Sequence, residues 1–300
     1  MDRNPERTIT LTISGRSDRG LIRSENQDYF LIADLGRTPE SGGLLLLPGR
    51  EPRAQTLELG PAGALALVAD GMGGAAGGEL ASRLAAETIL DDLARSAPDH
   101  HFALRLRTAV EAANARIHQE SRGNHRLWGM GTTATAAGIL GDQLYIAQIG
   151  DSRAYLIRGG AAHQLTRDQS RVQALIEAGE LTPEEAAQSA ERHIILQALG
   201  PEPEVDVDLT HHDLCRGDTL LLSSDGLHGV VDDDEIARIA APHLASTGSD
   251  PDPDAACQAL IDLANQRGGP DNITVVIIHF EGPGLPEPRP DHSVTRQPYP

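Results

Sequence analysis

The chain of 300 residues contains no lysine, and all 25 of its basic side chains are arginine. Chemistry that needs a lysine is therefore excluded, the phosphate-loop lysine and the Schiff base foremost. Cysteine is nearly absent: Cys215 and Cys257 lie far apart and neither has a CxxC partner. That leaves no disulfide framework and no zinc knuckle. Aromatic residues make up only 3% of a chain that is 39% hydrophobic, so the core has to be built from Leu, Val, Ile and Ala. No stretch reaches the roughly 18 consecutive apolar residues of a membrane span. Met1-Asp2-Arg3-Asn4 lacks the apolar region of a secretory signal, so a cytoplasmic protein is expected. Acid is in excess, with a formal net charge of −19, which argues against nucleic acid or an anionic membrane as partner.

The apolar run Leu65 to Ala69 reads as a buried strand that ends in Asp70 and the glycine-dense turn Gly71-Met72-Gly73-Gly74. Strands are also predicted at Thr8–Ser14, Tyr29–Ala33, Thr132–Leu140, Gln143–Ile149, Ala154–Arg158, Ala161–Leu165, Val205–Thr210, Asp218–Ser223 and Ile273–Phe280. The four strands from Thr132 to Leu165 have short Gly-rich connections and predict an antiparallel meander. Helical spacing marks Glu79–Ala94, Ala103–Glu120, Asp168–Gly179, Pro183–Ala190 with Thr182 as N-cap, Asp232–Ala240 and Asp254–Gln266. Residues 36–63 form a long insertion whose oily run Leu44–Leu47 suggests an extra hairpin. Residues 282–300 are Pro-rich and predict a disordered tail after one domain spanning 1–281. Strands that neighbour in pairs, with helix pairs between them, give an α+β fold: two antiparallel sheets face to face with helix pairs outside.

Two readings of the Asp70 turn compete. Gly71-Met72-Gly73-Gly74-Ala75-Ala76 satisfies G-x-G-x-x-A, with Asp91 and Asp92 about twenty residues on, as in a dinucleotide site. Those acids fall inside an amphipathic helix, and no βαβ crossover follows, so this reading is set aside. The other reading collects acids at strand ends: Asp28, Asp70, Asp151, Asp225 and Asp271. Each one alone is explained by turn chemistry. Five at strand ends, if the ends converge, form a carboxylate cluster that repels itself unless a cation neutralises it. Oxygen donors without His or Cys favour Mg²⁺ or Mn²⁺ over zinc. Two such ions about 3.5–4 Å apart suit in-line phosphoryl displacement by a shared water. The phosphate then needs a planar cation. Arg23, five residues before Asp28, is the first candidate; Arg16, Arg19 and Arg153 compete.

The ordered set Arg23-Ser24-Glu25-Asn26-Gln27-Asp28, Val68-Ala69-Asp70-Gly71-Met72-Gly73-Gly74, Gly131-Thr132-Thr133, Ile149-Gly150-Asp151-Ser152-Arg153, Leu165-Thr166-Arg167-Asp168, Ala198-Leu199-Gly200, Ser224-Asp225-Gly226-Leu227 and Gly269-Pro270-Asp271-Asn272 resembles the bacterial metal-dependent serine/threonine protein phosphatases of type 2C, from about Thr8 to Phe280. The resemblance implies a four-layer αββα fold and a binuclear Mn²⁺ or Mg²⁺ site. Asp70 would bridge the ions, the Gly71 carbonyl would add a ligand, and Asp225 and Asp271 would complete the set. Arg23 would hold the substrate phosphate, and Asp28 would support bound waters or a metal from behind. Asp151, helped by Asp225, would hold a third, weaker ion. Residues 166–199 would form a flap that affects substrate access. The reaction implied is direct attack of a metal-bound hydroxide on phosphoserine or phosphothreonine of protein substrates, opposing a cognate kinase, in a monomer.

The chain departs from that pattern at several points. Gln27 stands where many relatives carry Glu, which predicts weaker metal binding. Ala75 and Gln169 replace frequent histidines. Met72 occupies the position of a candidate general-acid His, so the proton donor to the leaving group stays unassigned. These departures leave a second expectation open, a weakly catalytic scaffold that binds phosphoproteins.

Overall fold

The strands in chain order are β1 (Thr10–Asp18), β2 (Tyr29–Asp34), β3 (Leu44–Leu46), β4 (Gln55–Glu58), β5 (Ala64–Ala69), β6 (Gly71–Met72), β7 (Gly131–Thr132), β8 (Ala134–Leu140), β9 (Gln143–Ile149), β10 (Arg153–Arg158), β11 (Ala161–Gln164), β12 (Asp208–Asp213), β13 (Thr219–Ser223) and β14 (Ile273–Glu281). The helices are α1 (Ala75–Arg95), α2 (Phe102–Gly123), α3 (Arg171–Glu177), α4 (Pro183–Gln188), α5 (Asp225–His228), α6 (Asp233–Leu244) and α7 (Pro253–Gln266). The computed structural model describes residues 8–36, 44–46, 48, 54–73, 75–95, 101–244, 250–289 and 294–299.

Strand β5 is buried at all six positions because both of its faces are covered. Leu65 and Leu67 point to a cluster shared with α1 and α2, including Ile89, Leu106 and Ile117. Ala66 and Val68 point the other way, into a cluster with Ile13, Leu222 and Ile278 of the opposing sheet. The period-2 alternation of a strand thus feeds two cores at once. A third cluster, with Tyr155, Ile236, Leu260 and Ile277, lies between the second sheet and α6 and α7. The layers are helix pair, sheet, sheet, helix pair, as expected. One sheet runs β11-β10-β13-β14-β1-β4 and the other β12-β9-β8-β5-β2-β3. All of their pairings are antiparallel.

The predicted four-stranded meander is corrected. β8 pairs with β9, and β10 with β11, but β9 and β10 belong to different sheets. The turn Gly150-Asp151-Ser152 therefore crosses the sandwich at its end. Among the described residues of the insertion, β3 and β4 do not pair with each other: β3 extends one sheet beside β2, and β4 extends the other beside β1. Leu47 lies outside the described residues. Helix α3 starts at Arg171, three residues later than Asp168, because Ser170 caps it by accepting from the Gln173 N–H. Thr182 caps α4 through a capping box with Glu185, as predicted. The strand expected at Val205–Thr210 is shifted to β12, where His211 and His212 continue the register against Tyr145 and Leu144 of β9.

The tail expectation fails for residues 294–299. Thr210 on the open edge of β12 bridges Pro298. The His211 N–H donates to the Gln297 carbonyl at 3.0 Å, and the Tyr299 N–H donates to the Leu209 carbonyl at 2.7 Å. Arg296 pairs with Asp208, and the Tyr299 ring meets Tyr145 and His211 edge-on. Proline content reports the preference of an isolated segment, whereas an edge strand offers unpaired backbone groups that recruit it. Among the described residues no helix is long and apolar enough to cross a membrane.

Candidate functional site

Strand register alone brings the five acids to one end of the sandwich. In one sheet Tyr29 pairs with Ala69, and Ala134 with Ile149. Asp28, Asp70 and Asp151 therefore leave the sheet at the same margin. In the other sheet Ser223 pairs with both Arg153 and Val275, which puts Asp225 and Asp271 at the matching margin. The two margins are tied together through Asp28: Ser224 Oγ and Thr274 Oγ1, from the opposing sheet, each donate to Asp28 Oδ2 at 2.7 Å.

Local contacts fix each carboxylate. The Asp70 N–H donates to Thr133 Oγ1 at 2.9 Å, and Thr132 Oγ1 donates to the Asp70 carbonyl at 2.8 Å. The Gly131-Thr132-Thr133 motif thereby pins the end of β5. A Cβ on Gly71 would stand 2.2 Å from the Gly78 carbonyl, so α1 approaches this turn only because the residue is glycine. The same holds at Gly226, where a Cβ would stand 1.9 Å from the Asn272 carbonyl. That contact sets the Asp225 turn against the loop that carries Asp271. Asn272 in turn receives the Gln27 N–H at its Oδ1 (2.8 Å) and donates from Nδ2 to the carbonyls of Arg19 and Glu25, both at 2.9 Å. The Arg23 loop is thus strapped beside Asp271. The Asp151 turn is held by Gln169, whose Oε1 accepts the Gly150 N–H at 2.7 Å.

The electrostatics follow from burying like charges together. Burial, opposed by the Ser224 and Thr274 hydroxyls and reinforced by Asp225 and Asp271, pushes the Asp28 carboxyl up to about 7. Burial and then Asp225 push Asp151 up to about 7. Asp70 is held well above the carboxylate range by burial and by Asp28, Asp225 and Asp151. Asp225 is raised by burial and Asp271, against a hydrogen bond shared with Asp70. Asp28 Oδ1 and Asp225 Oδ1 are buried and accept no hydrogen bond. Among the described residues, no three His, Cys, Asp or Glu side chains stand preassembled at ligand spacing. Asp28 is turned to its two hydroxyls, and Asp271 is engaged by Arg23 at 2.6 Å. Buried, mutually repelling oxygens with two unshared acceptors are a donor set suited to hard divalent cations, and the residues present fit such ions.

Three of the four candidate arginines are otherwise engaged. Arg16 binds Asp254 and Gln258, Arg153 makes a bidentate pair with Asp168, and Arg19 reaches the Ser24 carbonyl. The Arg23 guanidinium is 56% exposed at the mouth and is raised above its usual range, chiefly by its hydrogen bond to Asp271. Arg23, Asp70, Gly71, Asp151, Asp225 and Asp271 line one cleft of about 990 Å³. Asp28 lies behind it. The dinucleotide reading finds no support: Asp91 sits within α1, paired to Arg95 one turn on, and no parallel crossover exists among the described strands.

Thr274 is a site residue that motif reading passed over, and Ser224, Asn272 and Gln169, though quoted in or beside the motifs, were given no role in holding the acids. Ser224 and Asn272 each adjoin an acid in sequence, which was the available signal; Thr274 and Gln169 carried none. Gln27 lines the cleft, with its side-chain carbonyl against Gly78, where a Cβ would stand 2.7 Å from it.

Comparison with known proteins agrees with this geometry. A family model described as Protein phosphatase 2C matches residues 55–261, more than half of the chain. The serine/threonine protein phosphatase PstP of Mycobacterium tuberculosis is 38% identical over 273 residues, covering 90% of this chain and 45% of that protein. The chain thus spans about half the length of this relative. Protein phosphatase PhpP of Streptococcus pneumoniae is 38% identical over 272 residues, covering 89% of this chain and 97% of that protein. The crystal structure of the PstP catalytic domain with two manganese ions superposes with a TM-score of 0.71 at 35% identity, covering 91% of this chain and all of that one.

Proposed function

The chain belongs to the protein phosphatase 2C family, and on that premise we propose that it hydrolyses phosphoserine and phosphothreonine in protein substrates. The observation that carries this is the convergence of five carboxylates, two of them with unshared buried oxygens, beneath the exposed side chain of Arg23. In this reading Asp70, the Gly71 carbonyl, Asp225 and Asp271 hold two divalent ions, Mn²⁺ or Mg²⁺, and Asp151 with Asp225 holds a third. Such ions supply Lewis acidity toward phosphoryl oxygens and lower the pKa of water.

The chain's own residues do the rest. Arg23 leaves Asp271 for two phosphoryl oxygens, a bidentate geometry that only a guanidinium offers. The release of Asp271 couples substrate capture to completion of the ligand set. Asp28, fixed by Ser224 and Thr274, orients what lies in front of it without reaching the cleft. Met72 has no proton to give, so the leaving oxygen takes its proton from water, from the substrate or from His193, which lines the cleft. A cytoplasmic, monomeric enzyme opposing a serine/threonine kinase completes the proposal.

Hydrolysis of a phosphothreonine peptide and of p-nitrophenyl phosphate with Mn²⁺, and again in excess chelator, tests it. Activity is expected only with Mn²⁺; full activity in chelator overturns it. The second reading, a binding-only scaffold, is favoured by one observation: neutral Gln27 lines the cleft. Calorimetric titration separates the two, since an inert scaffold has no need of micromolar Mn²⁺ affinity.

A further inference from the structure

The cleft that holds the carboxylates is larger than a phosphoryl group needs. Its roughly 990 Å³ lies at the upper end of the about 300–1,000 Å³ typical of pockets that enclose whole ligands. The remainder is walled by the segment 166–199. Val172 and Ile176 on α3, one turn apart, share a face, as do Pro183 and Ala187 on α4. All four line the cleft, together with Ile195 and Val230. Helix α3 contains no fully buried residue. Its opposite side is committed to solvent by ion pairs, Arg171 with Glu191 and the nearby Arg167 with Glu177. An amphipathic helix normally spends its apolar face on the core; this one leaves it facing the space beside the acids.

We infer that this apolar wall is a side-chain subsite for the phosphopeptide, taking a branched or straight aliphatic residue within two positions of the phosphorylated one. The inference rests on the phosphatase reading. Two observations choose the occupant. The wall is continuous with the cavity lined by Arg23 and the carboxylates, so the chain attached to a captured phosphoryl group has to pass it. The wall itself presents only the apolar side chains of Val172, Ile176, Pro183, Ala187, Ile195 and Val230, which offer no partner to a charged neighbour and would leave it desolvated and unpaired. An aliphatic side chain here gains by burying apolar surface against apolar surface.

The test compares two phosphothreonine peptides on the full chain with Mn²⁺, one with leucine and one with serine at the two positions on each side. The wild-type enzyme is expected to favour the leucine peptide in kcat/KM by about tenfold, equivalent to about 1.4 kcal/mol, mainly through KM. The variant V172S/I176S is expected to bring the ratio within twofold. A melting temperature close to wild type shows that the variant is folded; if it is lower, I176S alone is read in its place. Equal rates for both peptides with the wild type, a preference for serine, or a leucine preference that survives the substitutions each overturn the subsite. A wild-type protein that hydrolyses neither peptide nor p-nitrophenyl phosphate takes down the phosphatase reading itself, and the subsite with it.

Discussion

Strand β13 carries an acid with a buried carboxylate oxygen beyond each end, and the two are treated in opposite ways. Asp218, just before Thr219, is 1% exposed and receives a bidentate pair from Arg158, with a hydrogen bond from the Cys215 N–H at 2.7 Å. Asp225, just past Ser223, has an oxygen with no hydrogen bond and is surrounded by other acids. Both sites follow from the same physics, since a buried carboxylate needs a compensating charge. At Asp218 the chain supplies that charge itself, and the result is structure. At Asp225 it withholds it, and the result is a site whose charge has to come from outside. Arg23 is intermediate: it compensates Asp271 but stays exposed and free to leave.

The sharpest way to break this comparison is to neutralise each end in turn. D225N should lower kcat/KM for p-nitrophenyl phosphate with Mn²⁺ by on the order of 10²–10³-fold, the scale of losing one preorganised electrostatic group. In chelator its melting temperature should equal or exceed that of wild type, because one charge leaves a repelling cluster. A clear drop in chelator stability would mean that Asp225 is structural after all. D218N should do the reverse. It leaves the Arg158 guanidinium uncompensated and should cost about 3–5 kcal/mol of stability, lowering the melting temperature by on the order of 10 °C. Below its transition, Mn²⁺-dependent turnover should stay within about twofold of wild type.

The intermediate case predicts a smaller effect. R23A should raise KM for p-nitrophenyl phosphate roughly 10–100-fold, as expected for loss of a charge-assisted contact worth about 1.5–3 kcal/mol. Calorimetric Mn²⁺ affinity should hold or improve, because Asp271 is released. R23K should recover only part of the KM, since an ammonium cannot bind bidentately. If R23A weakened Mn²⁺ binding instead, the 2.6 Å pair would be scaffolding for the acids.

How much of this was legible in the sequence depends on range. Asp70, Asp225 and Asp271 could be read because each sits beside a Gly or Pro signature and ends or precedes an apolar run, both local features. The layered α+β fold could be read because the alternation in β5 and the stripes of α1 and α2 are local as well. Three things could not. That β9 and β10 part into different sheets shows only in their partners, β8 and β12 for β9, and β11 and β13 for β10, and the β12 and β13 pairings are non-local. The docking of Arg296 and Tyr299 depends on the open edge of β12, which propensity does not see. The roles of Ser224 and Thr274 appear only once two sheets face each other across Asp28.

The smallest predicted effect is a pH dependence whose sign separates the two kinds of acid. With folded values near 7 against about 3.9 unfolded, Asp28 and Asp151 bind more protons folded than unfolded. The stability they contribute is complete below about pH 4 and is lost as pH rises through 7. Buried His212, His228 and His279 are shifted the other way, below their usual range. Their contribution grows with pH and is complete only above about 7.5. The buried thiols, raised above their usual range, come into play only beyond about 8.5. Between pH 6.5 and 8 the loss from the acids, about 1.6 kcal/mol, only just exceeds the gain from the histidines, about 1.2 kcal/mol, so the protein in chelator should lose about 0.4 kcal/mol, read as a melting temperature lower by about 1 °C. Mn²⁺ should remove the acids' share by supplying the charge the cluster lacks, so that the melting temperature rises across the window, and D151N in chelator should likewise turn the small decline into a small rise. A melting temperature in chelator that rises across this window would mean that the acids are already compensated within the chain, as Asp218 is.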